Sequence, residues 1–380
     1  MLKPQPTVQT DALRHLEALI SRPSITPADA GCQDYLAREL QTLGFNVERY
    51  RDGAVSNLIA SRPGKPSLAF SGHTDVVPAG EHWQVNPFAL THKDGYLYGR
   101  GIADMKGGIA AFLVAIEQAL AAGHALDGLM VLLTSDEEGE AEDGSQRIVE
   151  RLQKSGRMPP WVLVGEPTGQ HYSGDTLRIG RRGALSGELH LTGRSGHVAY
   201  QAAQDNVLHR AMTIGSRLAA LQWPVGAADF PGTGFHLTGI EHGDWLDNVT
   251  PGHAVLRFNL RYCHRVSRDV IAERVTQCID DDLQYQLHWS RPCEPYFSEF
   301  AENNRTFLRY CEQAVQTTLA RFPVLSTAGG ASDGRFFAGA GAQVIELGLP
   351  NRYIHQANER VALTAYQQLI AIYQALLVQL

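Results

Sequence analysis

Three patterns along the 380-residue chain predict an α/β protein of two domains. Helical and extended segments alternate through residues 1–182, the order becomes βαββαβ between 183 and 293, and helix and strand alternate again from 294 onward. The simplest topology inserts a small domain, 183–293, into a discontinuous α/β domain made of 1–182 and 294–380. The length exceeds that of one ordinary compact domain, and 44% hydrophobic residues are enough to build two cores.

Helical spacing covers 11–20 and 31–43, followed by extended segments near 45–50 and 57–60. Short apolar runs at Leu68 to Phe70, Leu129 to Leu133 and Trp161 to Val164 read as buried strands. Residues 107–122 form a helix because Ile109, Phe112, Leu113, Ile116 and Leu120 recur at helical spacing and Gly123 can close it. In the inserted segment 184–192 alternates, 204–221 is helical, 235–240 and 253–263 are extended, 267–282 is helical and 285–290 is extended. That order is the split βαβ arrangement of a ferredoxin-like sandwich. A helix over 303–320, a strand over 342–347 and a helix from 364 onward complete the first domain.

The net charge of −7 argues against a general nucleic-acid surface, since Lys and Arg are not in excess. No run approaches the roughly 18 apolar residues that span a bilayer, and residues 1–11 lack the apolar core of a signal peptide. The expectation is a cytoplasmic protein with neither membrane nor nucleic-acid partner. Cys32, Cys263, Cys278, Cys293 and Cys311 are odd in number and form no C-x-x-C pair, which fits structural thiols in a reducing compartment. Any metal bound here uses nitrogen and oxygen ligands.

Three buried-strand signals end in residues that can hold a metal. The first leads into His73 and Asp75, the second into Asp136-Glu137-Glu138, and the third into Glu166. Open α/β sheets place ligands at the carboxyl ends of their strands, and a histidine with several carboxylates delivered there suits a two-metal hydrolytic site. His73 and Asp75 are two apart on an extended strand end and point the same way, so Asp75 is placed to accept the second imidazole N–H. Each residue also has an ordinary reading. His73 and Asp75 suit a solvated turn, Asp104 a helix cap, the triplet an acidic loop, Glu166 an exposed turn and His355 a loop histidine. Three successive carboxylates repel one another, however, and a cation relieves that repulsion.

Five separated motifs strengthen the metal reading: Ser71 to Pro78 (SGHTDVVP), Gly99 to Gly107 (GRGIADMKG), Thr134 to Gly139 (TSDEEG), Gly165 to Thr168 (GEPT) and Ile354 to Glu359 (IHQANE). In this order they resemble the signatures of the dinuclear zinc aminoacylase and carboxypeptidase (peptidase M20-like) family. The resemblance implies a zinc-peptidase-like mixed-sheet catalytic domain, with the inserted domain serving for dimerisation and as a lid. It further implies two Zn2+ per subunit, for which Co2+ or Mn2+ can substitute. Asp104 would bridge them, with His73 and Glu166 on one ion, Glu138 and His355 on the other, Glu137 as general base and Asp75 orienting His73. Such a pair lowers the pKa of water while Glu137 moves the proton.

Four further motifs, Gly180 to Gly183 (GRRG), Ser195 to Tyr200 (SGHVAY), Asn259 to Cys263 (NLRYC) and Ser332 to Phe336 (SDGRF), narrow the resemblance to members that deacylate diamino diacids in lysine and cell-wall precursor biosynthesis. The implied partner is a small N-acyl diamino acid. Its carboxylates call for guanidinium groups, for which Arg181, Arg182, Arg261 and Arg335 are candidates, with Ser332 and Gly334 adding hydrogen bonds. The resemblance also implies that His197 stabilises the oxyanion and Asn248 contacts substrate, both from the neighbouring subunit of a homodimer joined through the inserted domain. Ala331 stands where a threonine usually precedes Ser332, and Gln201 where a proline usually follows Tyr200. The first departure bears on the acyl group, leaving an acetylornithine-type deacetylase or a dipeptidase as alternatives. A non-catalytic metal- or peptide-binding relative is a third, and it would have no need for Glu137.

Overall fold

The computed structural model describes residues 7–226, 230–298 and 305–380. They fall into two compact units. The larger extends to Ile179 and takes in 298–326 and 332–380, while the smaller comprises 180–297 with 327–331. The smaller unit opens and closes on a short antiparallel pairing of Gly180–Arg181 with Tyr296–Phe297.

The larger unit is built on an eight-stranded mixed sheet in the order Asn46–Asp52, Val55–Ser61, Leu129–Thr134, Leu68–His73, Trp161–Val164, Gln343–Glu346, Thr176–Arg178, Val324–Ser326. Leu68–His73 and Leu129–Thr134 are buried along their whole length. That is why they read as unbroken apolar runs, since helices cover both faces of such strands. With helices numbered in chain order as α1 (Thr7–Ile20), α2 (Cys32–Thr42), α3 (Lys106–Ala121), α4 (Ser145–Lys154), α5 (Val207–Ala220), α6 (Arg268–Thr276), α7 (Thr306–Leu319), α8 (Gly334–Gly339) and α9 (Leu363–Leu377), α1 packs against α3, which also packs against α9. The α3 helix is buried nearly all round, so its apolar residues form no narrow stripe. Phe70 of the sheet stacks on Phe112 of α3 with ring centroids 4.2 Å apart, and Tyr373 of α9 meets both rings edge-on.

The buried Lys106 is explained by the end of α1. Its ammonium donates to the carbonyls of Leu19 (3.0 Å), in the last turn of that helix, and Arg22 (2.7 Å), two residues beyond it. Burial lowers its pKa. The helix expected from 303 begins at Thr306, and residues 303 and 304 lie outside the described residues. A helix at Ser145–Lys154 and the three-stranded sheet of Arg360–Ala362, Tyr96–Tyr98 and Thr91–Lys93 were not anticipated. Those strands are too short to show a period.

The smaller unit has a four-stranded antiparallel sheet in the order Gly234–Glu241, His253–Tyr262, Gly183–Thr192, Gln284–Cys293. Taken with its helices Val207–Ala220 and Arg268–Thr276, this is the ferredoxin-like order expected from the sequence. Leu189, Leu256, Phe258, Ile214 and Ile271 form its core. The second helix stops at Thr276, short of the expected 282. Asp280, Asp281 and Asp282 would put three negative charges at a helix C-terminus, which the helix dipole disfavours. Asp280 and Asp282 instead bind Arg210 of the first helix.

Phe112→Ala should remove about 3–5 kcal/mol of stability by opening a cavity between sheet and helices. A shift of the guanidinium unfolding midpoint to lower concentration, read by circular dichroism, checks this, and an unchanged midpoint would contradict the packing described.

Candidate metal centre

Leu129–Thr134, Leu68–His73, Trp161–Val164 and Gln343–Glu346 are adjacent and parallel, so their carboxyl ends share one edge of the sheet. His73, the 136–138 triplet, Glu166 and the segment leading to His355 follow from those ends. Asp104 arrives separately, from the loop before α3. Gly108 lets α3 reach the sheet, because a Cβ there would lie 2.6 Å from the carbonyl oxygen of Gly165.

The sequence-predicted ligands of the larger unit converge. His73 Nε2 lies 3.2 Å from Asp104 Oδ1 and 3.5 Å from Glu166 Oε1. His355 Nε2 lies 3.0 Å from Glu138 Oε1 and 3.4 Å from Asp104 Oδ2. The two oxygens of Asp104 therefore face different imidazoles. Ligand atoms of His73, Asp104 and Glu138 lie within 4.8 Å of one another, and so do those of His73, Glu137 and Glu166. His355 has φ 59°, a left-handed conformation uncommon for a non-glycine residue.

The electrostatics are those of a cation site. Burial, with the nearby charge of Glu166, raises the Glu137 pKa well above the carboxylate range. Burial and the charge of Asp104 push Glu166 up to about 7. Burial opposes a charge on His73, but hydrogen bonds with Asp104, Asp75 and Glu166 outweigh it and hold its pKa well above the usual imidazole value. Hydrogen bonds with Asp104 and Glu138 lift His355 to about 10. Despite burial, the two imidazoles hold Asp104 well below its ordinary value. Two imidazoles among an excess of buried carboxylates form a nitrogen and oxygen donor set that fits a pair of hard or borderline divalent cations.

Asp75 does more than the strand-end geometry suggested. Its backbone carbonyl lies 3.0 Å from His73 Nδ1, while its carboxylate stands 3.5 Å away. That carboxylate accepts the backbone N–H groups of Glu138 (3.1 Å) and Glu137 (3.4 Å). It thus orders the loop that carries the acidic triplet. Asp136 turns away to accept the N–H of Asp143 at 3.1 Å, so the three consecutive carboxylates face three different settings.

The substrate candidates divide between the units. Ser332, Gly334 and Arg335 stand at the start of the short helix Gly334–Gly339, where the Ser332 hydroxyl accepts the Gly334 N–H (3.1 Å). Between them lies Asp333, which no sequence pattern singles out. It is buried, neither carboxylate oxygen has a partner at full hydrogen-bond geometry among the described residues, and burial, opposed by the charge of Arg335 and the nearby Ser145 hydroxyl, raises its pKa to about 6. Burial was the missing signal, since an Asp before a glycine reads as an ordinary turn.

In the smaller unit, Arg181 is buried and Arg261 lies on the strand His253–Tyr262. His197 and Asn248 meet there, with His197 Nε2 3.4 Å from Asn248 Nδ2. Ala199 donates its N–H to His197 Nδ1 at 3.1 Å. Gln201 anchors this turn, donating to the Arg194 carbonyl (2.8 Å) and accepting from the Thr250 hydroxyl.

Comparison with known proteins matches this architecture. A succinyl-diaminopimelate desuccinylase 2 from Shewanella loihica is 46% identical over 96% of this chain and 99% of its own length. A succinyl-diaminopimelate desuccinylase 1 from Alteromonas mediterranea is 44% identical over 99% of both. Among solved structures, the M20 family metallo-carboxypeptidase Sso-CP2 from Sulfolobus solfataricus shares the fold with a TM-score of 0.77 and 16% identity, covering 97% of this chain and 98% of that one. A dinuclear metal-binding M20 peptidase from Bacillus subtilis gives 0.72 and 14% identity, covering 98% of each. The model of peptidase family M20/M25/M40 matches residues 69–379, and the chain belongs to that family.

Proposed function

We propose that this enzyme is a metal-dependent amide hydrolase that cleaves N-succinyl-L,L-2,6-diaminopimelate to succinate and L,L-diaminopimelate, in lysine and diaminopimelate biosynthesis. The observation that carries the reading is 46% identity to a desuccinylase over nearly the full length of both chains. The convergence of two imidazoles on opposite oxygens of Asp104 supplies the chemical support.

His73 and Glu166 would hold one cation, Glu138 and His355 the other, and Asp104 both. Two zinc ions, with cobalt or manganese as substitutes, would lower the pKa of water and polarise the amide carbonyl. Glu137 takes the proton of the attacking water and returns it to the departing amine, a role suited to a carboxylate whose burial strengthens it as a base. Asp75 keeps Glu137 in position through the backbone of the triplet. Arg181, Arg261 and Arg335 receive substrate carboxylates, and Ser332 and Gly334 add hydrogen bonds. Ala331 offers no hydroxyl to the acyl group.

A homodimer through the smaller units completes the site, His197 stabilising the developing oxyanion and Asn248 contacting substrate. Exposed Val198, Tyr200, Trp245 and Leu246, close in sequence to these two residues, support an interface there. The enzyme acts in the cytoplasm on a small-molecule substrate.

Steady-state assays should show turnover of N-succinyl-L,L-diaminopimelate, abolished by a chelator and restored by zinc. Activity confined to N-acetylornithine would refute the substrate assignment. Glu137→Ala should lower kcat by about 10²–10⁴-fold at unchanged metal content, and full activity in that variant would remove Glu137 as the base. Without cations, Glu166 titrates near 7 and His355 near 10, so protons occupy ligand atoms at neutral pH. Cations must displace them, so zinc affinity should rise between about pH 6 and 8 with proton release, measured by calorimetry in buffers of different ionisation enthalpy.

A further inference from the structure

Glu359 has no part in the chemistry above, yet its carboxylate is as completely engaged as any in the larger unit. It is 1% exposed, and its partner Arg100 is likewise 1% exposed. Oε2 accepts from Arg100 Nη1 at 2.7 Å and from the Gly101 N–H at 2.9 Å. Oε1 accepts from the Ala103 N–H at 2.8 Å and the Asp104 N–H at 3.3 Å. The Glu359 carbonyl accepts a further bond from the Gly99 N–H at 3.2 Å.

Every one of these donors belongs to the loop that delivers Asp104. Glu359 itself ends the segment that delivers His355, four residues earlier. The two segments are far apart in sequence and need a fixed separation, because Asp104 Oδ2 and His355 Nε2 stand 3.4 Å apart. A third segment joins through Arg100, whose Nη2 donates to the carbonyls of Pro78 (3.3 Å) and Ala79 (3.0 Å), shortly after His73 and Asp75. Its guanidinium also stands over the Trp83 ring, 5.3 Å from the centroid.

We propose that the buried Arg100–Glu359 pair is a positioning device that locks the Asp104 loop to the His355 segment and thereby sets the spacing of the two cation positions. The inference rests on the two-metal reading above. Four donors on one carboxylate leave it no rotational freedom, so the backbone of 101–104 cannot shift without breaking charge-assisted bonds. Neither residue touches a reacting atom. Their effect passes through Asp104 and His355, as partners behind metal ligands do generally.

The test is zinc titration of the full-length chain by calorimetry, with bound metal counted, alongside kcat, KM and thermal melts for wild type, Glu359→Gln and Glu359→Asp. Wild type binding fewer than two zinc ions would defeat the two-metal reading itself. Given two in wild type, E359Q should bind one ion about 10–100-fold more weakly and lose kcat with little change in KM. E359D, which keeps the charge opposite Arg100, should recover part of that loss. A pair that merely held the fold together would lower the melting temperature and leave both affinities of the folded protein within twofold of wild type, which would overturn the proposal. If E359Q does not fold, E359D decides: a selectively weakened ion supports positioning, and two unchanged affinities refute it.

Discussion

Asp104 lies between two imidazoles, one on each of its oxygens, and the larger unit is organised around holding it there. His73, the acidic triplet, Glu166 and the segment to His355 follow neighbouring parallel strands, whereas Asp104 belongs to a loop that must be brought up to them. The means are visible around it. The α3 helix after the loop is buried in the core, Gly108 allows it to approach the sheet, and Lys106 ties its start to the end of α1. The loop backbone before it is gripped by Glu359.

So many carboxylates in one buried place would be unfavourable by themselves. Their oxygens have given up water, and their charges repel at short range. The structure answers in two ways. Asp75 and Asp136 are satisfied by backbone N–H groups and turned to structural use. The remaining carboxylates are left with imidazoles and an uncompensated demand for positive charge, which protons meet in part and divalent cations meet better. A site poised in this way is costly for stability and well suited to binding metal.

Much of this was legible in the residues. Apolar runs located the central strands because those strands are buried on both faces, and the smaller unit's order of elements followed from alternation alone. His73, Glu138 and Glu166 were visible because each stands just after such a run. Asp104 and His355 were not distinguishable from a helix cap and a loop histidine without the motif resemblance. Spacing extends the second helix of the smaller unit to 282 because it does not register the helix dipole, and the helix ends at Thr276. Nothing in the sequence singles out Asp333, because only tertiary packing buries it.

The sequence by itself determined the alternating architecture, the residue types available to a metal and the family motifs, because period and residue type are local properties of the chain. Tertiary structure alone decided how the carboxylates share their work. Asp75 reaches from a strand end to the backbone of the triplet, and Glu359 reaches across the fold to the backbone around Asp104. Such hydrogen bonds join segments far apart in the chain, and their geometry exists only once the sheet has brought those segments together.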